Sequence, residues 1–151
     1  MKTEQFFKTG KNNINYIGDN FQDWFYGVEF EKSTANLNSV VLEKPMLDKE
    51  IFERYAPSEL TLGDIASNLK KLSKKDFGHI FYVRDKNDEL RAVSVYWSGD
   101  GWVVGANSVE SPSGWSDGRR VFSRNSLEPK YLETLPNELI INGETYKRSG
   151  K

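Results

Sequence analysis

The sequence of 151 residues contains no cysteine, which excludes disulfide frameworks, thiolate metal sites and cysteine nucleophiles. It contains a single histidine, His79, so metal sites built from several histidines and mechanisms that need two imidazoles are excluded as well. A lone histidine at the start of an apolar segment is typical of a structural residue. His79 remains formally compatible with a Ser-His-Asp triad, although no G-x-S-x-G motif accompanies it.

Long apolar runs and an excess of charge are also lacking. No segment approaches the length of a membrane span, and we expect a cytoplasmic protein that does not contact a membrane. The formal net charge of −1 provides no global field toward nucleic acid. Because no glycine-rich phosphate loop occurs between a strand and a helix, no nucleotide cofactor, and indeed no cofactor of any kind, is expected.

The composition is that of a folded chain, with 37% hydrophobic and 13% aromatic residues. A chain of this length is typical of one domain, so we expect residues 1–151 to form a single domain with one core. Three regions follow one another: an N-terminal strand region over 20–45, a helical segment over 48–75, and a C-terminal β-meander and hairpin over 78–148. The expected fold class is α+β, an antiparallel meander sheet with one or two helices packed on one face.

The first two regions contain both kinds of periodicity. Five aromatic residues between 21 and 31 alternate in part, which predicts a strand from about Asp23 to Glu31. A second short strand is predicted over 39–42. A helix is predicted from Asp48 to about Tyr55, and a better one from Thr61, whose side chain forms a capping pair with Asp64.

After Gly78 the periodicity changes to two, and three antiparallel strands are predicted in succession. If Asp100-Gly101 is the turn between the last two, Trp102 pairs with Gly99 and Val104 with Trp97. That register assigns one face to the core, namely Val93, Val95, Trp97, Trp102, Val104 and Ala106. A fourth strand over 119–124 follows a long loop, and a final hairpin turns at Asn142-Gly143.

The strongest candidate contact surface combines this long loop with the strand after it. Tyr96 and the loop residue Trp115 are the aromatic residues expected to be exposed, and Arg119, Arg120 and Arg124 follow Trp115 closely. Tryptophan and arginine are enriched at binding hot spots. The alternative is that Trp115 covers the core and the arginines are solvated or paired with acids. If the surface is functional, we expect a non-enzymatic binding protein with no catalytic residue and no bound metal.

Two further alternatives remain open. Asp23, Glu29 and Glu31 lie close together in sequence, which is compatible with a small metal-dependent hydrolase. The lysines at 70, 71, 74 and 75 crowd the end of the second helix, where positive charge is favoured by the helix dipole. With the arginines, this Lys70 to Lys75 cluster would form a nucleic-acid-binding surface.

Two segments also resemble known sequences. Trp115 with GRRVFSRNS (118–126), and LPNELIINGETYKR (135–148), resemble small uncharacterised proteins encoded by bacteriophages and prophages. The resemblance implies an accessory protein made during infection or lysogeny, acting on a host protein or on nucleic acid. A host protein is the expected partner. The resemblance implies no particular activity and no functional residue.

Overall fold

The computed structural model describes residues 1–128 in full, together with the backbone of 138–141 and 144–147. Its helices are α1 (Thr3–Phe6), α2 (Asp19–Phe25), α3 (Asp48–Tyr55) and α4 (Leu62–Asn68), the last continued by a 3₁₀ turn over Leu69–Lys71. Its strands are β1 (Ile14–Ile17), β2 (Asn38–Val41), β3 (His79–Arg84), β4 (Leu90–Ser98), β5 (Gly101–Ser108), β6 (Arg120–Ser123), β7 (Glu138–Ile141) and β8 (Glu144–Lys147). Within the described residues no helix has both the length and the apolar character needed to cross a bilayer.

Six strands form one sheet in the order β1-β5-β4-β3-β6-β2. The β3-β4-β5 meander is antiparallel as predicted, but β1 pairs with β5 in parallel and β6 pairs with β3 in parallel. The expected α+β class therefore stands, and the expectation of a purely antiparallel sheet is wrong. The strand β6 does not extend the meander, because it inserts between β3 and β2 instead.

Each face of the sheet is covered by helices. Phe81, Val95 and Val104 lie in a core shared with α1, α2 and α4, whereas Ile80 and Tyr82 lie in a second core shared with α3. The strand β3 is therefore apolar on both faces. The prediction that the helices pack on one face is wrong, since α3 packs on the opposite face from the other three.

The predicted strand over 23–31 is also wrong. Phe21 and Phe25 are four residues apart, which places them on the same side of α2, and both are fully buried. The helix ends at a Gly27 with φ of +98°, a conformation that glycine adopts without strain. The aromatic residues therefore reflected a helix spacing of four as well as an alternation of two.

The turn between β4 and β5 lies one residue earlier than predicted, so the pairing register of the two strands shifts by two residues. Ser98 pairs with Gly101 and Trp97 with Trp102, so that the turn is Gly99-Asp100, with Gly99 at a φ of +66°. A shift of two residues keeps the same side chains on the same face. The predicted core face is confirmed, with Val93, Val95 and Val104 fully buried.

The predicted C-terminal hairpin is formed by β7 and β8, in which Ile141 pairs with Glu144. The predicted turn at 142–143 lies outside the described residues.

Candidate functional site

The structure separates the five residues of the predicted contact surface. Trp115 is 8% exposed, and its Nε1 donates a hydrogen bond of 2.7 Å to Asp48. The expectation that Trp115 is exposed is therefore wrong, because the indole closes the second core. Arg124 donates to both carboxylate oxygens of Asp64 at distances of 2.9 Å.

Asp64 shows why Arg124 is committed to the fold. The carboxylate is fully buried, which alone would raise its pKa, but hydrogen bonds from Ser33, from the Thr61 backbone and from Arg124 outweigh burial and lower the pKa. The same carboxylate accepts from the Thr61 N–H at 2.9 Å, which confirms the predicted capping pair. Arg124 thus fastens the end of β6 to the start of α4.

The other three residues lie at the opposite end of β6. Arg120 begins β6 beside His79, which begins β3, and Tyr96 follows the residue that pairs with His79. Tyr96 is 37% exposed. Arg119 packs against the segment before β3, because any side chain at Gly78 would collide with its guanidinium. Arg119 and Arg120 therefore lie beside residues 76–78, which join the lysine cluster to β3, whereas the side chain of Tyr96 lies on the other face of β4 from Val95 and Trp97.

This end of the sheet concentrates positive charge. We call it the basic corner, and its residues are Lys70, Lys71, Lys74, Lys75, Phe77, Arg119 and Arg120. All four lysines are exposed, and Phe77 is the most exposed large hydrophobic side chain in residues 1–128, at 73%. Gly118 lies so close to the Phe77 ring that a Cβ there would overlap it. The loop and the lysine segment therefore form one surface.

A polar cavity of about 400 Å³ opens beside the basic corner, between the 3₁₀ turn after α4 and the strands β6 and β2. We call it the Asp76 pocket. Its polar lining includes Ser39, Lys71, Asp76 and Arg120, and its apolar lining includes Leu72 and Phe122. Arg120 donates from Nε to Asp76 Oδ2 at 3.0 Å and from Nη1 to Ser39 Oγ at 2.9 Å.

His79 lies behind this pocket and is completely buried. Its Nδ1 lies 2.8 Å from the Val95 carbonyl oxygen, and because a carbonyl only accepts, Nδ1 carries a proton. Burial lowers the pKa of His79 despite the opposing effect of the Asp76 carboxylate, which favours a neutral ring. Its Nε2 then presents a lone pair toward Asp76 Oδ2, 3.4 Å away, and makes no hydrogen bond.

The hydrolase alternative depends on Asp23, Glu29 and Glu31. Asp23 lies on α2, and Glu29 lies beyond the end of that helix, where its backbone pairs with that of Lys2 in an isolated antiparallel β-bridge. Among the described residues, no group of three or more histidine, aspartate or glutamate side chains is placed to hold a metal ion. The geometry does, however, bring the segment after the lysine cluster against two of the three predicted arginines, Arg119 and Arg120.

Sequence reasoning missed Asp76, Phe77 and Ser39. Asp76 and Phe77 lie directly between the lysine cluster and His79, which was a usable signal, whereas Ser39 is 81 residues from its partner Arg120.

Comparison of the chain with models of protein families, with curated proteins and with solved structures found no match. The resemblance to phage proteins and the host-protein partner therefore stay predictions.

Proposed function

We propose that this protein binds single-stranded nucleic acid through the basic corner. The observation that carries the proposal is the exposed Phe77 ring within a surface of six lysine and arginine side chains. Surfaces that bind single strands combine cations along the backbone with aromatic rings on which bases stack. The proposal takes up the nucleic-acid alternative in place of the expected host-protein partner, and its site excludes Trp115 and Arg124, which serve the fold.

Charge is segregated at this surface. Residues 70–78 and 117–120 contain six basic and two acidic residues, a net of +4, although the whole chain carries −1. The remainder of the protein is therefore acidic. A local positive field of this kind attracts a polyanion and orients it toward the corner, while the acidic remainder repels it elsewhere.

The exposed aromatic ring favours a single strand over a duplex. The faces of bases inside a duplex are covered by their neighbours, whereas an unpaired base can stack on Phe77. Lys74 lies with its Nζ 4.1 Å from the ring centroid of Trp97, which holds this lysine at the end of the sheet. On one side of Phe77 in the sequence, Lys74 contacts a side chain of β4, and on the other side Arg120 belongs to β6.

Fluorescence anisotropy with a labelled oligothymidine tests the proposal. The double variant Lys74→Glu/Lys75→Glu should weaken binding by at least about tenfold at low salt, since it removes phosphate contacts and adds repulsion. The matched control Lys49→Glu/Lys86→Glu makes the same charge change at two exposed positions away from the corner, one in α3 and one in the turn between β3 and β4. Equal loss in both variants, or no binding by the wild type, would contradict the proposal.

The stacking contribution is measured separately. Phe77→Ala should weaken binding by about five- to a hundredfold, which corresponds to the 1–3 kcal/mol typical of one stacked base. Tyr16→Ala is the control, because Tyr16 is 55% exposed on β1, at the far edge of the sheet. An unchanged affinity of Phe77→Ala would remove the argument for a single strand and leave only charge attraction.

A further inference from the structure

We propose that the Asp76 pocket receives a guanine base of the strand bound at the basic corner. This inference rests on the proposed function and adds a base preference to it. The pocket's volume of about 400 Å³ lies in the lower part of the range found for small-ligand sites. It borders the corner directly, since Lys71 and Arg120 belong to both.

The carboxylate in the pocket determines which part of a nucleic acid enters it. Asp76 would repel a phosphate group, so the phosphates are better placed on the lysines outside. A carboxylate accepts hydrogen bonds only, and therefore selects a group that offers N–H donors. Apolar contact from Leu72 and Phe122 completes a lining that suits a flat ring with a polar edge.

The unpaired atoms of the pocket match one edge of guanine. Arg120 Nη2 and Asp76 Oδ1 make no hydrogen bond to any residue that the structure describes, although Nε and Oδ2 of the same side chains are bonded to each other. Both side chains line the pocket, where the arginine offers a donor and the carboxylate can accept two neighbouring N–H groups at once. Guanine presents the O6 acceptor next to two donors, N1–H and the N2 amino group, and so pairs with the arginine and with the carboxylate together. Thymine and uracil present one donor between two acceptors, and adenine and cytosine present one donor only.

His79 adds an independent observation. Its fully buried Nε2 has no hydrogen-bond partner and faces the Asp76 carboxylate, which is an unfavourable contact between two acceptors. A ligand that donates N–H groups to Asp76 disperses the charge that faces this lone pair. Guanine binding therefore weakens this contact and gives Asp76 Oδ1 and Arg120 Nη2 partners that no described residue supplies, while Nε2 itself stays without a donor.

The test compares oligothymidines of equal length that carry one central guanine, one hypoxanthine or none. The guanine strand should bind about tenfold more tightly than the all-thymine strand, in line with the discrimination typical of a good bidentate contact. Hypoxanthine lacks the N2 amino group and should fall between them. Equal affinity for all three strands would overturn the guanine inference and leave the proposed function standing, whereas no binding of any strand would overturn both.

Two variants connect the preference to Asp76. Asp76→Ala should lose the guanine preference while binding the all-thymine strand as tightly as the wild type or more so, because a negative charge is removed. Asp117→Ala makes the same charge change at an exposed position in the same corner and should keep the preference. Asp76→Asn, which replaces an acceptor by a donor, serves if the alanine variant does not fold. A preference that survives both changes at Asp76 would overturn the inference.

A spectroscopic measurement locates the base. His79 is the only histidine of the chain, so its ring signals in NMR report on the pocket without assignment of other residues. The guanine strand should shift these signals more than the all-thymine strand does, because it alone contacts Asp76. Equal shifts with both strands would place the base outside the pocket and overturn the inference.

Discussion

Two aspartates occupy comparable positions on opposite faces of the sheet, and each faces a polar residue of β3. Asp48 accepts hydrogen bonds of 2.7 Å from the Tyr82 hydroxyl and the Trp115 indole, and is 1% exposed. Asp76 faces His79 and accepts from Arg120, but borders a cavity. The first cluster gives each buried donor its acceptor, and the second leaves His79 Nε2 without a partner.

The difference separates a structural cluster at Asp48 from the cluster at Asp76 for which we propose a binding role. The Asp48 cluster joins α3, β3 and the loop that carries Trp115, three segments whose polar groups would otherwise be buried without partners. At Asp76 the protein forms fewer bonds than its groups allow, and the remaining groups line an open space. Polar groups without partners beside a cavity are the groups that a ligand can satisfy.

Asp48→Ala should have the largest effect on folding. It leaves the Tyr82 hydroxyl and the Trp115 N–H buried without an acceptor, which should lower the free energy of unfolding by about 2–4 kcal/mol. Asp48→Asn keeps an acceptor oxygen and removes a carboxylate whose pKa is raised by burial, so that its effect should stay within about 1 kcal/mol. Urea unfolding measures both, and equal losses would show that the carboxylate charge, rather than the acceptor, is what the fold requires.

Arg124→Ala should come next. It removes the cation from the buried Asp64, and because the arginine is 46% exposed, we expect a loss of about 1–2 kcal/mol, below that of a fully buried pair. The Arg119 guanidinium donates to the Ser116 hydroxyl and lies 5.4 Å from the ring centroid of Trp115, so Arg119→Ala should change the free energy of unfolding by less than about 1 kcal/mol. Similar losses in the two variants would contradict the distinction between the two ends of β6.

The pH dependence of folding tests whether the Asp76 cluster holds His79 as a buried histidine with a lowered pKa. Its pKa is lowered in the folded state, so the unfolded chain binds a proton more readily, and stability present above about pH 6.5 is lost as the pH falls toward the folded pKa. His79→Gln lacks this group. The difference in unfolding free energy between wild type and variant should therefore shrink from pH 7.5 to pH 5, and a constant difference would contradict the lowered pKa.

The smallest effect on stability is expected for Asp76→Asn. The side chain is partly exposed and its arginine partner is a third exposed, so the free energy of unfolding should change by less than about 0.5 kcal/mol. The same change should lower the pKa of His79 further, because the carboxylate that raises it is gone. An NMR titration of the single histidine measures this shift, and a rise in the pKa would contradict the described contact.

Much of the fold could be predicted from local patterns. The bounds of α3, the Thr61–Asp64 capping pair and the strand β3 agree with the predictions, since each depends on residues a few positions apart. The Asn-Gly hairpin signal agrees with the observed pairing of β7 and β8. Around Phe21 and Phe25 the aromatic residues fit both a helical and a strand periodicity, and the predicted strand was wrong. Packing in the core, which the sequence does not show, decides between the two.

The candidate site was predicted only in part for the same reason. Residue type was enough to recognise Arg119, Arg120 and the lysine cluster. It was misleading for Trp115 and Arg124, which were predicted to lie in a contact surface but bind buried aspartates instead. Their partners, Asp48 and Asp64, are 67 and 60 residues away in sequence. No local pattern encodes a hydrogen bond over such a separation.

The sequence by itself determined the helices α3 and α4, the β3-β4-β5 meander and which side chains of the meander face the core, because these follow from periodicity and turn chemistry over short spans. Only the tertiary structure decided that β6 lies parallel to β3 beside β2. That pairing depends on how the two cores bury their apolar residues at once. It also brings Arg120 to Asp76 and Ser39, and so creates the pocket beside the lysines.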